Sequence, residues 1–201
     1  LDAVGVATGG ANVQFAVNPE DGRYVVIEMN PRVSRSSALA SKAPGFPIAR
    51  IAAKVALGRR LDEIMNDITG STPASFEPAL DYAAPKIPRV TLENVPGADP
   101  RPGTAMTAVG EDAAMGRSFE EALLKAIRSL DVARYSLHGP LAVGGAGDDE
   151  LEHRLREPTP DRLWELAEAL RRGWSLERLH ATTAVDPWFL RRINGLVASE
   201  N

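Results

Sequence analysis

Two strand-forming runs, "NVQFAV" and "RYVVIEMN", flank Asn18-Pro19-Glu20-Asp21-Gly22, and nothing else in the 201-residue chain constrains the fold as strongly. β-Branched and aromatic residues suit a pleated backbone, and the polar connector supplies a turn with a glycine free to take positive φ. The segment therefore reads as a β-hairpin. A turn over Glu20-Asp21-Gly22, closed by Gly22 in the left-handed region, pairs Pro19 with Arg23. Counting back along both strands sets Gln14 opposite Glu28, and the two-residue period brings Asn30 onto the face of Glu28. Val25, Ile27 and Met29 then point the other way, into a core.

The polar end of this hairpin raises a chemical question. Gln14, Glu28 and Asn30 bring one carboxylate and two amide carbonyls to one patch. These are hard oxygen donors of the kind that suits Mg²⁺, which takes few protein ligands and leaves its other positions to water and phosphate oxygens. Arg32 lies just past the strand end, where a guanidinium can meet a phosphoryl group or a small oxyanion with two parallel hydrogen bonds. Spacing alone also allows a plainer arrangement: an edge strand whose exposed face carries Glu28, Asn30 and Arg32 as solvated or ion-paired groups.

Helical periodicity governs much of the rest. Ser36 to Ala43 is helix-compatible, and "FPIARIAAKVALG" carries Ile48, Ile51, Ala52 and Val55 on one face, with Pro47 in the first turn and Gly58 as the stop. A short helix is expected over Leu61 to Ile68. Strands follow at Lys86 to Val90 and within "TAMTAVGEDAAMG", and Ser118-Phe-Glu-Glu121 reads as a capping box opening a helix to Leu130. Between Asp131 and Asp149 the composition turns to glycine, alanine and polar residues, as in a linker. Beyond it, helices are expected over Pro160 to Arg172, from Ser175, and from Asp186-Pro187 to about Ser199. Leu163, Leu166, Ala167 and Leu170 form one apolar stripe; Phe189, Ile193, Leu196 and Val197 form another.

Composition removes whole classes of function. The 23 basic and 27 acidic residues leave a net charge of −4 without a basic block, so no nucleic-acid surface is expected. With no cysteine there is no disulfide, thiolate metal site or cysteine nucleophile, and an intracellular, cytoplasmic protein is expected. No run of eighteen apolar residues and no signal-peptide pattern appears, so no membrane partner is expected. The chain opens at Leu1 in mid-pattern and reads as a piece of something longer. His138, His153 and His180 lack metal or triad spacing and are read as surface residues. Ser36 and Ser37 are read as helix entry, Trp164, Trp174 and Trp188 as packing residues, and the pairs Arg59-Arg60, Arg171-Arg172 and Arg191-Arg192 as solvated faces.

The runs "GGANVQFAV", "IEMNPRVSRSSALASKAPGFPIARIAAKVALG", "MNDITG", "TPASFEPALDY", "KIPR", "AVGE" and "GRSFEEAL" together resemble the large chain of carbamoyl-phosphate synthases. The likeness is to the end of the first ATP-grasp half, which makes carboxyphosphate, and it covers residues 2 to 130. "RVSRSSALASKA" selects that half over the second, which reads closer to "EVNPRAART". "PWFLRRI" is similar to the start of the family's helical oligomerisation domain. The implied fold class is α+β: the C-terminal part of a carboxyphosphate-forming ATP-grasp domain over 1–130, a linker over 131–149, and a truncated all-α oligomerisation segment over 150–201.

The resemblance also implies roles. Gln14 and Glu28 would bind the two Mg²⁺ or Mn²⁺ ions that bridge the phosphates of ATP, with Asn30 completing the set. Arg32 would hold bicarbonate or carboxyphosphate. Arg35 and Glu111 match positions lining a carbamate tunnel, with a surface or structural salt-bridge role for either at least as good a reading of the sequence. The implied partners are a glutaminase small subunit, the remainder of the large chain and further copies through the helical domain. The implied product is carbamoyl phosphate for arginine and pyrimidine biosynthesis, made from bicarbonate, glutamine-derived ammonia and two ATP. A non-catalytic remnant and a different ATP-grasp carboxylase are the alternatives. Pro44 in place of threonine, the short "ITGSTP" loop, Thr107 in place of lysine and the stretch from Val132 to Gly147 depart from the family pattern.

Overall fold

The computed structural model describes residues 3, 5, 9–89, 110–132, 134–138 and 147–200. Its contacts divide the chain into two units, Leu1–Asp81 and Tyr82–Asn201.

In the first unit, β1 (Asn12–Val17) and β2 (Tyr24–Asn30) pair antiparallel. At the polar end the register is the expected one, with Asn12, Val13 and Gln14 opposite Asn30, Met29 and Glu28. Nearer the turn it shifts by one: Phe15, Ala16 and Val17 face Val26, Val25 and Tyr24. Ile27 is the extra residue of a β-bulge. The turn differs from expectation for the same reason. It spans Pro19 to Gly22 and is closed by Asn18, whose N–H donates to the Arg23 carbonyl at 2.7 Å. Asn18 Oδ1 accepts from the Glu20 N–H at 3.0 Å and Asp21 Oδ1 from the Arg23 N–H at 2.9 Å, side-chain bonds that hold the longer loop. Gly22 takes φ +72°, as anticipated.

The bulge reassigns faces. Val25 joins the Gln14 side, and Tyr24 comes beside Phe15, the rings edge-on at 6.0 Å. The expected core face does not form: Val25 is 53% and Ile27 62% exposed, and only Met29 is half-buried. Among the described residues the two strands make a sheet of their own, and neither packs substantially on a helix that could bury a face.

After the hairpin, α1 (Arg35–Lys42) starts at Ser34, whose hydroxyl accepts from the Ser37 N–H while Ser37 Oγ accepts from the Ser34 N–H. Helix entry is thus the use made of these serines. The second helix, α2 (Ile48–Ala56), buries Ile51 and Ala52 and stops at Gly58 with φ +91°. A Cβ on Gly9 would lie 1.8 Å from the Ala52 carbonyl oxygen, so only glycine lets the segment leading into β1 approach α2. The helix expected over Leu61 to Ile68 is cut to one 3₁₀ turn, Leu61–Glu63. Asn66, 2% exposed, is the cause: its Oδ1 accepts from the Ile68 N–H at 2.9 Å and the Thr69 N–H at 3.4 Å, offering the backbone a turn in place of a helix. Ile51, Ile64 and Ala74 form the small core of this unit.

In the second unit, β3 (Lys86–Arg89) and β4 (Gly110–Ala113) pair antiparallel; Val90 and residues 104–109 of the expected strands lie outside the described residues. The helix α3 (Phe119–Ser129) is capped by Ser118, but Glu121 Oε2 accepts from the Arg117 N–H at 2.9 Å, one residue beyond the expected box partner. There follow α4 (Asp148–Arg156), α5 (Arg162–Arg171), α6 (Leu176–Thr183) and α7 (Pro187–Ala198), the last capped by Asp186 with Pro187 at its start. Their apolar stripes meet in one core with α3, in which Ile127, Leu155, Leu179 and Leu190 are fully buried.

Trp164 and Trp174 pack in that core, their Nε1–H groups donating to the Ser136 carbonyl and to Asp148 Oδ2. Trp188, 39% exposed, lies edge-on to Phe119 and Phe189. Arg171 and Arg172 are not the solvated pair expected: Arg171 meets Glu200 beyond α7 at 2.7 Å, and Arg172 meets Glu168 one turn back on α5 at 2.9 Å and Asp148 at the start of α4 at 3.2 Å. Among the described residues no helix is long and apolar enough to cross a membrane.

Candidate functional site

The polar end of the hairpin gathers the residues singled out from the sequence. Gln14 sits directly opposite Glu28, and Asn30 lies two residues further along β2 on the same face. Both amides converge on one carboxylate oxygen: Glu28 Oε1 accepts from Gln14 Nε2 at 2.6 Å and from Asn30 Nδ2 at 3.0 Å. The carboxylate is thus held by two neutral donors and, among the described residues, is balanced by no cation. Turning either amide about its last torsion exchanges nitrogen for oxygen, and would convert two donors facing the carboxylate into two further acceptors.

A fourth residue belongs here that reading the sequence missed. Asn12 stands opposite Asn30, on the face of Gln14, and its Oδ1 is buried with no hydrogen-bond partner among the described residues. The signal was present, because the register that sets Gln14 against Glu28 also sets Asn12 against Asn30. A buried carbonyl without a donor calls for an ion or a water. Four side chains, one of them ionised and the others amides, fit a hard divalent cation and do not fit a soft one. Among the described residues no group of three or more His, Asp or Glu side chains is placed to hold a metal, so this patch would bind one through amide carbonyls and a single carboxylate.

Arg32 follows at once. Its N–H donates to the Asn30 carbonyl at 2.8 Å, a tight three-residue turn that carries the chain past Pro31 and leaves the arginine exposed. Among the described residues its guanidinium makes no ion pair. Arg35, in the first turn of α1, is exposed. Glu111 lies in the other unit, on β4 opposite Pro88, where Lys86 Nζ meets its Oε2 at 2.7 Å and its side chain is 15% exposed. Glu111 thus pairs with Lys86 in the second unit.

Comparison with known proteins adds a second line. Two families match: "Carbamoyl-phosphate synthase L chain, ATP binding domain" over residues 1–64, and "Carbamoyl-phosphate synthetase large chain, oligomerisation domain" over residues 111–201. The chain is 56% identical over 211 residues to the carbamoyl phosphate synthase large chain of Mesorhizobium japonicum, with 100% of this chain and 18% of the relative covered. It is 56% identical over 196 residues to that of Myxococcus xanthus, covering 96% of this chain and 18% of the relative. To the "Carbamoyl phosphate synthase large chain, N-terminal section" of Aquifex aeolicus it is 55% identical over 200 residues, covering 100% of this chain and 36% of the relative. The chain thus spans about a fifth to about a third of the length of these relatives.

Proposed function

Because this chain belongs to the carbamoyl phosphate synthase large-chain family, we propose that it supplies the end of the first, carboxyphosphate-forming ATP-grasp half of such a chain and the start of its helical oligomerisation domain. The match to a relative named as an N-terminal section supports assignment to the first half. The observation that carries the functional reading is the convergence of Gln14 and Asn30 on one oxygen of Glu28, beside the unpartnered Asn12 carbonyl.

In this reading Gln14, Glu28 and Asn30 would hold Mg²⁺ or Mn²⁺, which when bound would supply positive charge to offset that of the ATP phosphates. Arg32, exposed just past the strand, holds bicarbonate with paired N–H donors and keeps its oxygen in line for attack on the terminal phosphate. The same guanidinium then faces the charge that gathers on the transferred group. Arg35 and Glu111 are assigned to a carbamate path. The full-length protein is proposed to be a glutamine-dependent ATP ligase of the cytoplasm, working with a glutaminase subunit. It would make carbamoyl phosphate from bicarbonate, ammonia and two ATP for arginine and pyrimidine synthesis, and assemble through the helical domain. The 201-residue chain alone is proposed to be inactive, since its hairpin leaves apolar residues of both faces exposed.

Glu28→Gln in the full-length protein tests the site. It keeps the shape and removes the only formal negative charge among the three proposed metal ligands, so bicarbonate-dependent ATP cleavage should fall on the order of a hundredfold or more. Arg32→Ala should instead impair bicarbonate use while leaving metal–nucleotide binding in place. ATP synthesis from carbamoyl phosphate and ADP, assigned to the second half, should survive both changes. A folded Glu28→Gln protein with normal bicarbonate-dependent cleavage and a lost reverse reaction would assign this hairpin to the other half.

A further inference from the structure

The register change in the hairpin falls directly beside the Gln14–Glu28 pair, with Ile27 as the residue left over. Three ordinary uses of an extra residue do not account for its place beside that pair. It is not there for burial, because Ile27 is 62% exposed. The longer loop, closed between Asn18 and Arg23, requires one extra residue in β2 but does not fix where along the strand it falls, and it falls at the far end from the turn. Nor does it sort the polar side chains: it moves Val25 to the other face, while Gln14, Glu28 and Asn30 keep the partners and the face that the regular register gives them. What remains is direction: a bulge bends its strand and raises the local right-handed twist. In a flat strand, residues two apart stand about 6.5 Å from each other along the chain. Here the Asn30 amide nonetheless reaches Glu28 Oε1 at 3.0 Å, the same oxygen that accepts from the cross-strand Gln14 at 2.6 Å.

We propose that Ile27 is a positioning residue for the first phosphorylation site, the bulge it forms turning the Glu28–Asn30 end of β2 so that its oxygen donors converge. This rests on the metal–phosphate reading of the hairpin. Ile27 touches no reactant; its backbone sets the aim of the residues that do. The strand residues nearer the turn, Tyr24 to Val26, carry no donor of this kind, so the change of direction falls where the polar face begins.

The experiment uses the full-length protein. Deleting Ile27 regularises the ladder, and bicarbonate-dependent ATP cleavage should drop on the order of a hundredfold, the usual consequence of a misplacement near 1 Å. The Mn²⁺ concentration for half-activation should rise, and spin-resonance titration should show weaker Mn²⁺ binding in the presence of nucleotide. ATP synthesis from carbamoyl phosphate and ADP should be unchanged, which reports that the variant is folded. Ile27→Val, which keeps the extra residue and its β-branched backbone preference, should restore both metal readouts. If the deletion variant loses every activity, Ile27→Gly decides: it keeps the residue count but frees the bulge backbone, and must raise the half-activating Mn²⁺ concentration above that of Ile27→Val. Equal values for those two, or a folded deletion variant with normal Mn²⁺ binding, overturns the proposal. Glu28→Gln separates the two levels: an inactive Glu28→Gln beside an active deletion removes only the role of Ile27, while an active Glu28→Gln removes the site reading itself.

Discussion

The two units of this chain use their apolar residues in opposite ways. In Tyr82–Asn201 one core of sixteen buried side chains joins α3 to the four helices that follow, whereas in Leu1–Asp81 the buried cluster is Ile51, Ile64 and Ala74. The hairpin that bears the candidate site adds nothing to either, and Phe15, Val17, Tyr24, Val25, Val26 and Ile27 are each more than half exposed. A core of the first kind stabilises its own backbone through area removed from water. The hairpin depends instead on ladder hydrogen bonds and a turn, which is marginal for two strands. Stability and candidate chemistry are therefore carried by separate parts of the chain.

That separation can be broken most directly by hydrogen exchange on the 201-residue chain. Amides of α5 and α7, beneath Leu166, Leu170 and Leu190, should exchange on the order of a thousandfold more slowly than those of β1 and β2. Comparable protection in both would mean that the hairpin is stabilised by contacts the comparison leaves out. A smaller effect comes from truncating side chains. Leu190→Ala empties a fully buried position and should cost about 3 kcal/mol. Val17→Ala, at a position 63% exposed, should stay within about 0.5 kcal/mol. Both are read from thermal or denaturant midpoints. Should both shift one shared transition by like amounts, the units unfold together and the contrast fails.

The helical unit was legible in the sequence because its signals are local. The stripes around Leu166 and Ile193, the caps at Ser175 and Asp186, and the stop at Gly173 all act within a few residues. The site end of the hairpin was legible for the same reason, since Gln14 opposite Glu28 follows from pairing and period. What escaped was the outcome of competition between local options. Asx turns at Asn18 and Asp21 lengthened the loop by one residue, and the bulge at Ile27 took up the difference, so Val25 changed face while Glu28 did not. At Asn66 a side-chain turn likewise overrode helical periodicity. The pairing of Arg171 with Glu200 and of Arg172 with Asp148 depends on tertiary approach, whereas that of Arg172 with Glu168 lies at the four-residue spacing of one helix and could have been read from the sequence.

The smallest effect expected sharpens the comparison at the level of a single carboxylate. Glu28 in the hairpin is met by neutral amides, whereas Glu152 on α4 accepts from Arg156 Nη2 at 2.6 Å on its own helix and from Arg178 Nη2 at 2.7 Å on α6. Those two hydrogen bonds, the one from Arg156 first, hold the Glu152 carboxyl below the ordinary glutamate range. The folded chain then takes up this proton less readily than the unfolded chain does. The resulting stabilisation is complete above the unfolded value, near ~4.3, and is lost as the pH falls through the lower folded value. Glu152→Gln should therefore lower the thermal midpoint of the helical transition slightly at neutral pH, by less than Leu190→Ala does. The gap to the parent chain should close as the solution is acidified below about pH 4, and 1 M salt should shrink it because the pairs are solvent-accessible. Glu120, Glu121 and Glu177 are lowered as well, so the absolute acid slope belongs to several groups and only the difference between variant and parent reports Glu152. An equal deficit at pH 7 and at pH 3 would show that Glu152 contributes through packing between α4 and α6, with its charge playing no part.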